Sequence, residues 1–160
     1  MYATMLPGIR YAVAGAALLA GHDVGDYLVQ RDSDAAKKGT PGPAGAAACT
    51  RHVLSYTATQ AAALLAANHC LGLGISRRRM AAALTVSAVT HYAADRCAGR
   101  WTETGDDAPL LVQAAHAIGK GPWLTRDPGA AALLDQVWHR TCIALAAGIA
   151  ATGSNHRPGL

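Results

Sequence analysis

The sequence predicts an all-α protein, an alanine-rich four-helix bundle with one extra short helix. The chain has 160 residues, of which 51% are hydrophobic, and this is enough to close one core. It contains no Phe and only 5% aromatic residues, whereas 37 residues are alanine. Alanine is the strongest helix former, while strands favour β-branched and aromatic residues. We therefore expect one domain of closely packed helices over residues 1–152 and a flexible tail over 153–160.

The first half of the chain predicts two long helices. The first covers about residues 7–31, since Pro7 stands where a first turn can begin and an apolar run follows it. The segment 32–45 is polar and rich in Gly and Pro, which predicts a loop. A second helix is expected over about 46–71, because Gly72 and Gly74 follow this stretch and can end a helix.

The second half predicts two further long helices and a short one. Ser76 is a suitable cap for a third helix that runs to about residue 97. After a loop, Asp107 and Pro109 stand where a helix can begin, and we expect a short helix over about 107–119. A loop is expected over 119–128, because it is rich in Gly and Pro. The fourth long helix covers about 129–151.

The stretch 52–76 holds 25 residues without Lys, Arg, Asp or Glu, a length that can cross a bilayer. Several polar side chains within it oppose insertion. The loops at both of its ends are positively charged, which the positive-inside rule does not favour. We expect a cytoplasmic bundle, with membrane association as the alternative.

Charge and cysteine content limit the partners and the compartment. The net charge is +4, but only 15% of residues are charged and the basic ones are scattered among loops, so nucleic-acid binding is not expected. The four cysteines, Cys49, Cys70, Cys97 and Cys142, lie far apart without a CxxC pair. We expect reduced thiols in the core. The sequence does not predict the oligomeric state.

Three His–Asp pairs spaced i, i+4 stand inside the apolar helices. Side chains four apart share a helix face, so each pair can hold one ion or form a hydrogen bond. Seven His and nine Asp placed by chance give about 0.8 such pairs. The second long helix adds His52. The pairs are His22 with Asp26, His91 with Asp95, and Asp135 with His139.

Bundle cores build metal sites from inward side chains on facing helices. Imidazole and carboxylate ligands suit Zn²⁺, Mn²⁺ or Fe²⁺, and seven candidates are enough for one or two ions. We therefore expect a metal-dependent hydrolase for a phosphoester or a related small anionic substrate. His52 is a further ligand or the proton-transfer group. Lys120 is a candidate catalytic residue, since it or Arg96 can neutralise an anionic substrate. Candidate substrate contacts are Arg96, Gln30 and Gln136, of which the two glutamines can donate hydrogen bonds.

A structural role for the same pairs stays open. Three His–Asp pairs can act as satisfied polar ties that fix helix register in an alanine-rich core without any ion. The protein would then be a non-enzymatic membrane-associated or interaction protein.

Five separated blocks of the chain, GHDVGDYLVQ, ACTRHVLSYTATQ, THYAADR, GKGPW and LDQVWH, together resemble a domain-of-unknown-function family. Its members are small helical proteins of actinobacteria and their mobile elements, and the blocks cover about residues 20–140. The resemblance implies polar positions at the seven candidate ligands and at Gln30 and Gln136, but it implies no activity. A looser similarity to membrane-bound metal-dependent hydrolases raises the expectation of metal chemistry.

Overall fold

The computed structural model describes residues 7–152, and the tail predicted over 153–160 lies outside them. The all-α prediction is confirmed, since every regular element in 7–152 is helical. The helices are α1 (Pro7–Val24), α2 (Asp32–Ala35), α3 (Pro43–Cys70), α4 (Arg77–Asp95), α5 (Leu110–Ala117), α6 (Gly121–Arg126) and α7 (Ala130–Ala151). The four long helices form the bundle: α1 packs on α3 and α7, and α4 packs on the same two helices.

Several predicted boundaries differ from the structure. The first helix is α-helical only to Val24 and continues as a π-helical turn over Gly25–Val29, closed by a bond from the Gln30 amide to the Gly25 carbonyl (2.9 Å). The predicted loop 32–45 contains α2. The predicted loop 119–128 is wrong over α6, because a proline in the first turn starts that helix.

The α1 and α3 backbones come unusually close at Gly21. A Cβ at this position would lie 2.7 Å from the Cα of Gln60, so only glycine fits without a shift. Two side chains of α3 bind carbonyls of α1 across the contact: Thr59 Oγ1 donates to the Gly21 oxygen (2.8 Å), and Gln60 Nε2 to the Leu18 oxygen (2.9 Å). The contact fixes the register in which His22 faces α3.

The interior of the bundle is layered. One apolar cluster fills the end that holds Leu18, Leu64 and Ile143. A second apolar cluster, built around Trp101 and Val112, packs on the other side. Buried polar side chains of α1, α3, α4 and α7 lie between the two. On each of the four long helices, the buried residues are apolar beside the first cluster and become polar about one turn further along the helix.

No helix within residues 7–152 is long and apolar enough to cross a membrane. The uncharged stretch that suggested a span belongs largely to α3, whose inward face carries the buried His52, Tyr56 and Gln60. These polar side chains, at three successive turns of that face, lower the hydropathy of the helix.

The cysteine prediction is confirmed for Cys49, Cys97 and Cys142, which are buried thiols, but it is wrong for Cys70, which is exposed. Cys70 is the last residue of α3. Its side chain is exposed at the end of this helix, just before the turn that leads to α4.

Candidate metal centre

All three predicted His–Asp pairs and His52 meet in the polar layer. The imidazoles are almost fully buried, with His22, His52, His91 and His139 at 0–2% exposure. α1 and the π-helical turn bring one pair, α4 the second and α7 the third, while α3 brings His52. The i, i+4 spacing keeps each pair on one inward face.

The tightest set consists of His52, His91 and Asp95. The two Nε2 atoms of His52 and His91 are 2.9 Å apart. Oδ2 of Asp95 lies 3.2 Å from His52 Nε2 and 3.3 Å from His91 Nε2. These three side chains can offer one ligand atom each to a single ion.

The three distances agree with those between ligands of a first-row divalent ion. With metal–ligand bonds of 2.0–2.1 Å, a tetrahedral site separates its ligand atoms by about 3.3 Å. An octahedral site, in which two His and one carboxylate occupy one face, separates them by about 2.9 Å. Either geometry leaves at least one position open for water or substrate.

Asp26 faces the same two nitrogen atoms from the π-helical turn that follows α1. Its Oδ1 lies 3.4 Å from His52 Nε2 and 3.5 Å from His91 Nε2. Its Oδ2 is 3.6 Å from His22 Nδ1. His22, Asp26 and His91 thereby form a second group of three that can hold an ion. Asp26 lies in the π-helical turn, a distortion that frequently marks functional sites.

Lys38 completes the electrostatics of the centre. Its ammonium group lies 2.8 Å from Oδ1 of Asp95, on the carboxylate oxygen that faces away from the two imidazoles. Lys38 belongs to the loop between α2 and α3. This loop is held beside Asp95 because Arg96 donates hydrogen bonds to the carbonyls of Lys38 and Thr40. Gly39 also packs directly on the Ala98 carbonyl, where a Cβ would clash.

The remaining pair borders the mouth of the centre. His139 Nε2 is 3.2 Å from Oδ2 of Asp135 and 3.9 Å from Oδ1 of Asp95. Asp135 is partly exposed, and it shares with Lys38, Asp95 and Trp101 a cavity of about 250 Å³. This cavity connects the buried carboxylate of Asp95 with the surface.

The protonation states suit metal binding. Burial raises the pKa of the Asp95 carboxyl, but the close contact with the His91 ring nitrogen and the positive charge of Lys38 outweigh it, so this pKa lies below its usual value. The pKa of Asp26 is also lowered, because its close contacts with His52 and the other nearby imidazoles exceed the effect of burial. Burial lowers the pKa of His91. Ionised carboxylates and a neutral imidazole are the forms that ligate metal.

Several polar atoms of the centre lack a hydrogen bond within the described chain. Oδ2 of Asp95, Oδ1 of Asp26 and Nε2 of His139 are buried and have no such partner. Buried polar groups are normally paired, since burial without a partner is costly. The two carboxylate oxygens are those that face the imidazole nitrogens, so a cation between them would satisfy both.

The other predicted contacts lie at different distances from the centre. Gln136 reaches it, with Oε1 3.4 Å from His22 Nε2. Gln30 follows the π-helical turn, and its Nε2 is buried without a partner in the described chain. Arg96 holds the loop carbonyls. Lys120 is exposed just before α6 and lines no cavity at the centre.

Sequence reasoning missed two contributors to the centre. Lys38 stands in a Gly- and Pro-rich segment, where no periodicity indicates which side chain will turn inward. The Tyr56 ring stacks on the His91 imidazole with centroids 3.7 Å apart, and its hydroxyl shares a 2.7 Å hydrogen bond with Ser87. The spacing of Tyr56 from His52, four residues on α3, was the available signal.

The fold and the centre define an all-α bundle with a buried His–Asp cluster whose ligand atoms can hold a metal ion. No protein-family model, no curated protein and no solved structure matches this chain significantly.

Proposed function

We propose that the protein is a divalent-metal-dependent hydrolase that acts on a phosphoester or a related small anionic substrate. The observation that carries this proposal is the triangle of His52 Nε2, His91 Nε2 and Asp95 Oδ2, with sides of 2.9–3.3 Å. Two imidazoles and one carboxylate hold an ion firmly while leaving room for water, which is the pattern of catalytic rather than structural sites.

The residues around the triangle take distinct roles. His52, His91 and Asp95 would hold the divalent ion, which would lower the pKa of a coordinated water, for Zn²⁺ to about 7. Asp26, ionised and facing the two ligand nitrogens, accepts a proton from that water. Lys38 stays on the outer oxygen of Asp95 and adds positive charge at the mouth, the role that Lys120 and Arg96 were expected to play.

In the reaction, the water oxygen forms a bond to phosphorus as the ester P–O bond breaks. One proton of the water passes to Asp26 and then to the leaving oxygen. The other proton remains on the released phosphate. Gln136, beside His22, can orient a substrate oxygen by donating from its Nε2 atom.

Metal binding is the first test. Protein freed of metal with a chelator is titrated with Zn²⁺, Mn²⁺ and Fe²⁺ by calorimetry, and metal in the protein as purified is measured by mass spectrometry. We expect one tight metal site per protein chain, and in His52→Gln a loss of metal affinity of at least about a hundredfold. The matched control is His69→Gln, which changes an exposed histidine of the same helix and should bind as the unaltered protein does.

The visible spectrum of Co²⁺ in the site gives a second readout, because four- and six-coordinate ions differ strongly in absorption. Hydrolysis of bis(p-nitrophenyl) phosphate and p-nitrophenyl phosphate follows activity. Absence of metal in the purified protein, together with no binding of any of the three ions, would refute the proposal.

A structural role is the second candidate, and a specific observation favours it. The His52–His91 hydrogen bond and the Lys38–Asp95 ion pair link α3, α4 and the loop before α3 without an ion. If the centre is only structural, His91→Ala lowers the stability of chelator-treated and metal-treated protein equally. If it holds metal, the ions raise the melting temperature of the unaltered protein and not of the variant.

A further inference from the structure

The mouth of the centre borders a second cavity of different chemistry. This cavity has a volume of about 220 Å³ and lies between α5 and α7. Its walls are apolar and include Trp101, Leu111, Leu134 and Trp138. The one hydroxyl among its lining residues, that of Thr141, donates to the Val137 carbonyl in the same helix (2.8 Å) and is thereby satisfied.

Trp101 lines both cavities. On α7, Asp135 lines the polar mouth, and the neighbouring Leu134 and Trp138 line the apolar cavity. These positions are one residue and three residues away from Asp135 on the same helix, so the two cavities adjoin along α7 and share Trp101 as a lining residue.

The walls of the apolar cavity are held in place. His116 Nε2 donates to the Trp101 carbonyl (3.1 Å), which fixes the turn that carries this indole. Trp138 Nε1 donates to the Thr90 carbonyl (3.0 Å), which fixes the second indole against α4. A cavity with anchored walls is pre-formed, as small-molecule sites usually are.

We infer that the ligand of the centre is a single-chain amphiphile, a phosphate monoester whose anionic head lies in the mouth and whose apolar chain lies in the α5–α7 cavity. This inference rests on the proposed function for the head group. Lys38 and a divalent ion supply positive charge at the mouth. Apolar cavities of about 150 Å³ already bind benzene, so the larger volume here accepts a short alkyl chain or an aromatic ring.

Exposed apolar side chains around the cavity agree with an apolar ligand. Ile118 and Val137 line it and are 72% and 60% exposed. Such side chains at the rim would be partly covered by the chain of the ligand.

The test uses octyl phosphate, octanol and inorganic phosphate as probes. Two of the three tryptophans line the cavity, so intrinsic fluorescence reports its occupation. With metal present, octyl phosphate should bind at least about tenfold more tightly than octanol or phosphate. Removal of the metal should reduce its affinity to that of octanol, since the head group then loses its main partner.

Two variants of α5 provide the matched comparison. Ala114 is exposed and lines the cavity, whereas Ala117 is exposed and does not. Ala114→Leu fills the cavity and should weaken octyl phosphate at least about tenfold, with metal and inorganic phosphate bound as before. Ala117→Leu should change none of the three.

The outcomes separate this inference from the proposed function. If octanol and octyl phosphate leave the fluorescence unchanged, or if the two α5 variants behave alike, the inference is overturned whatever the metal titration gives. If octyl phosphate binds at the cavity but no metal binds, the proposed function fails, and the inference is overturned for the head group.

Discussion

The contact at Gly21 allows a prediction with a defined sign and size. Replacing Gly by Ala inside a helix normally stabilises it by about 1 kcal/mol. At Gly21 the new Cβ would meet the Gln60 Cα at 2.7 Å, a backbone atom that cannot rotate away. Overpacking of this kind costs about 1–3 kcal/mol. Taking the upper value, Gly21→Ala should lower the free energy of unfolding by about 2 kcal/mol.

A second glycine of α1 provides the control. A Cβ at Gly15 would lie 3.6 Å from the Cβ of Ala147, an ordinary contact. Gly15→Ala should therefore raise the free energy of unfolding by about 0.5–1 kcal/mol. For a chain of this size these changes correspond to melting temperatures about 4–8 °C lower for Gly21→Ala and about 1–4 °C higher for Gly15→Ala.

The assay is urea unfolding followed by circular dichroism, with a chelator present so that metal binding does not contribute. If both variants gain stability equally, α1 and α3 do not approach at Gly21 as described. The same result would remove the reason for the register that brings His22 and Asp26 to α3.

Three further outcomes follow from the centre and its surroundings. Lys38→Met leaves the buried Asp95 carboxylate without its ammonium partner and should cost about 3 kcal/mol in urea unfolding, most of which the double variant Lys38→Met, Asp95→Leu should recover. Because the folded pKa of Asp95 is lowered, since its contacts with His91 and Lys38 outweigh burial, its contribution is present above the unfolded pKa of about 3.9 and is lost as the pH falls through the folded value. Unfolding free energies measured from about pH 5 downward should thus decline more steeply in the unaltered protein than in Asp95→Asn; equal slopes would contradict the assignment. Burial raises the pKa of Cys49 to about 12 and that of Cys97 to about 11, so a thiol reagent at mildly alkaline pH should titrate only Cys70 until denaturant exposes the other three, and rapid labelling of more than one thiol would contradict the burial.

Periodicity predicted the parts of this molecule that depend on helical geometry. Four long apolar stretches became the four long helices, with boundaries displaced by a few residues. The i, i+4 spacing of the His–Asp pairs placed each pair on one face, and the core is the only place where such faces can meet in a bundle. The meeting of the three His–Asp pairs in the core therefore followed from their spacing within apolar helices.

The parts that depend on loop conformation and on departures from the α-helix were not predictable in this way. Lys38 reaches Asp95 because Arg96 and Gly39 hold the loop against the end of α4, contacts between segments distant in sequence. The π-helical turn at Gly25–Val29 carries Asp26, and its sequence has no distinct signal that separates it from an α-helix. The composition of 119–128 suggested a loop, although a proline at the start of a short segment equally suits a helix.

The charge of the polar layer bears on why so costly an arrangement would be kept. Asp26 and Asp95 place two carboxylates in the interior, and Lys38 neutralises one of them. One negative charge then remains, in surroundings where an unpaired ion is expensive. A divalent ion would offset this charge, and together with Lys38 it would attract an anionic ligand entering from the mouth beside Trp101. A purely structural layer could instead pair a protonated His91 with the second carboxylate, but burial lowers the pKa of His91 and opposes that pairing. The same alanine-rich helices that omit Phe leave room for these side chains, so the composition of the core and the chemistry of its centre have one physical explanation.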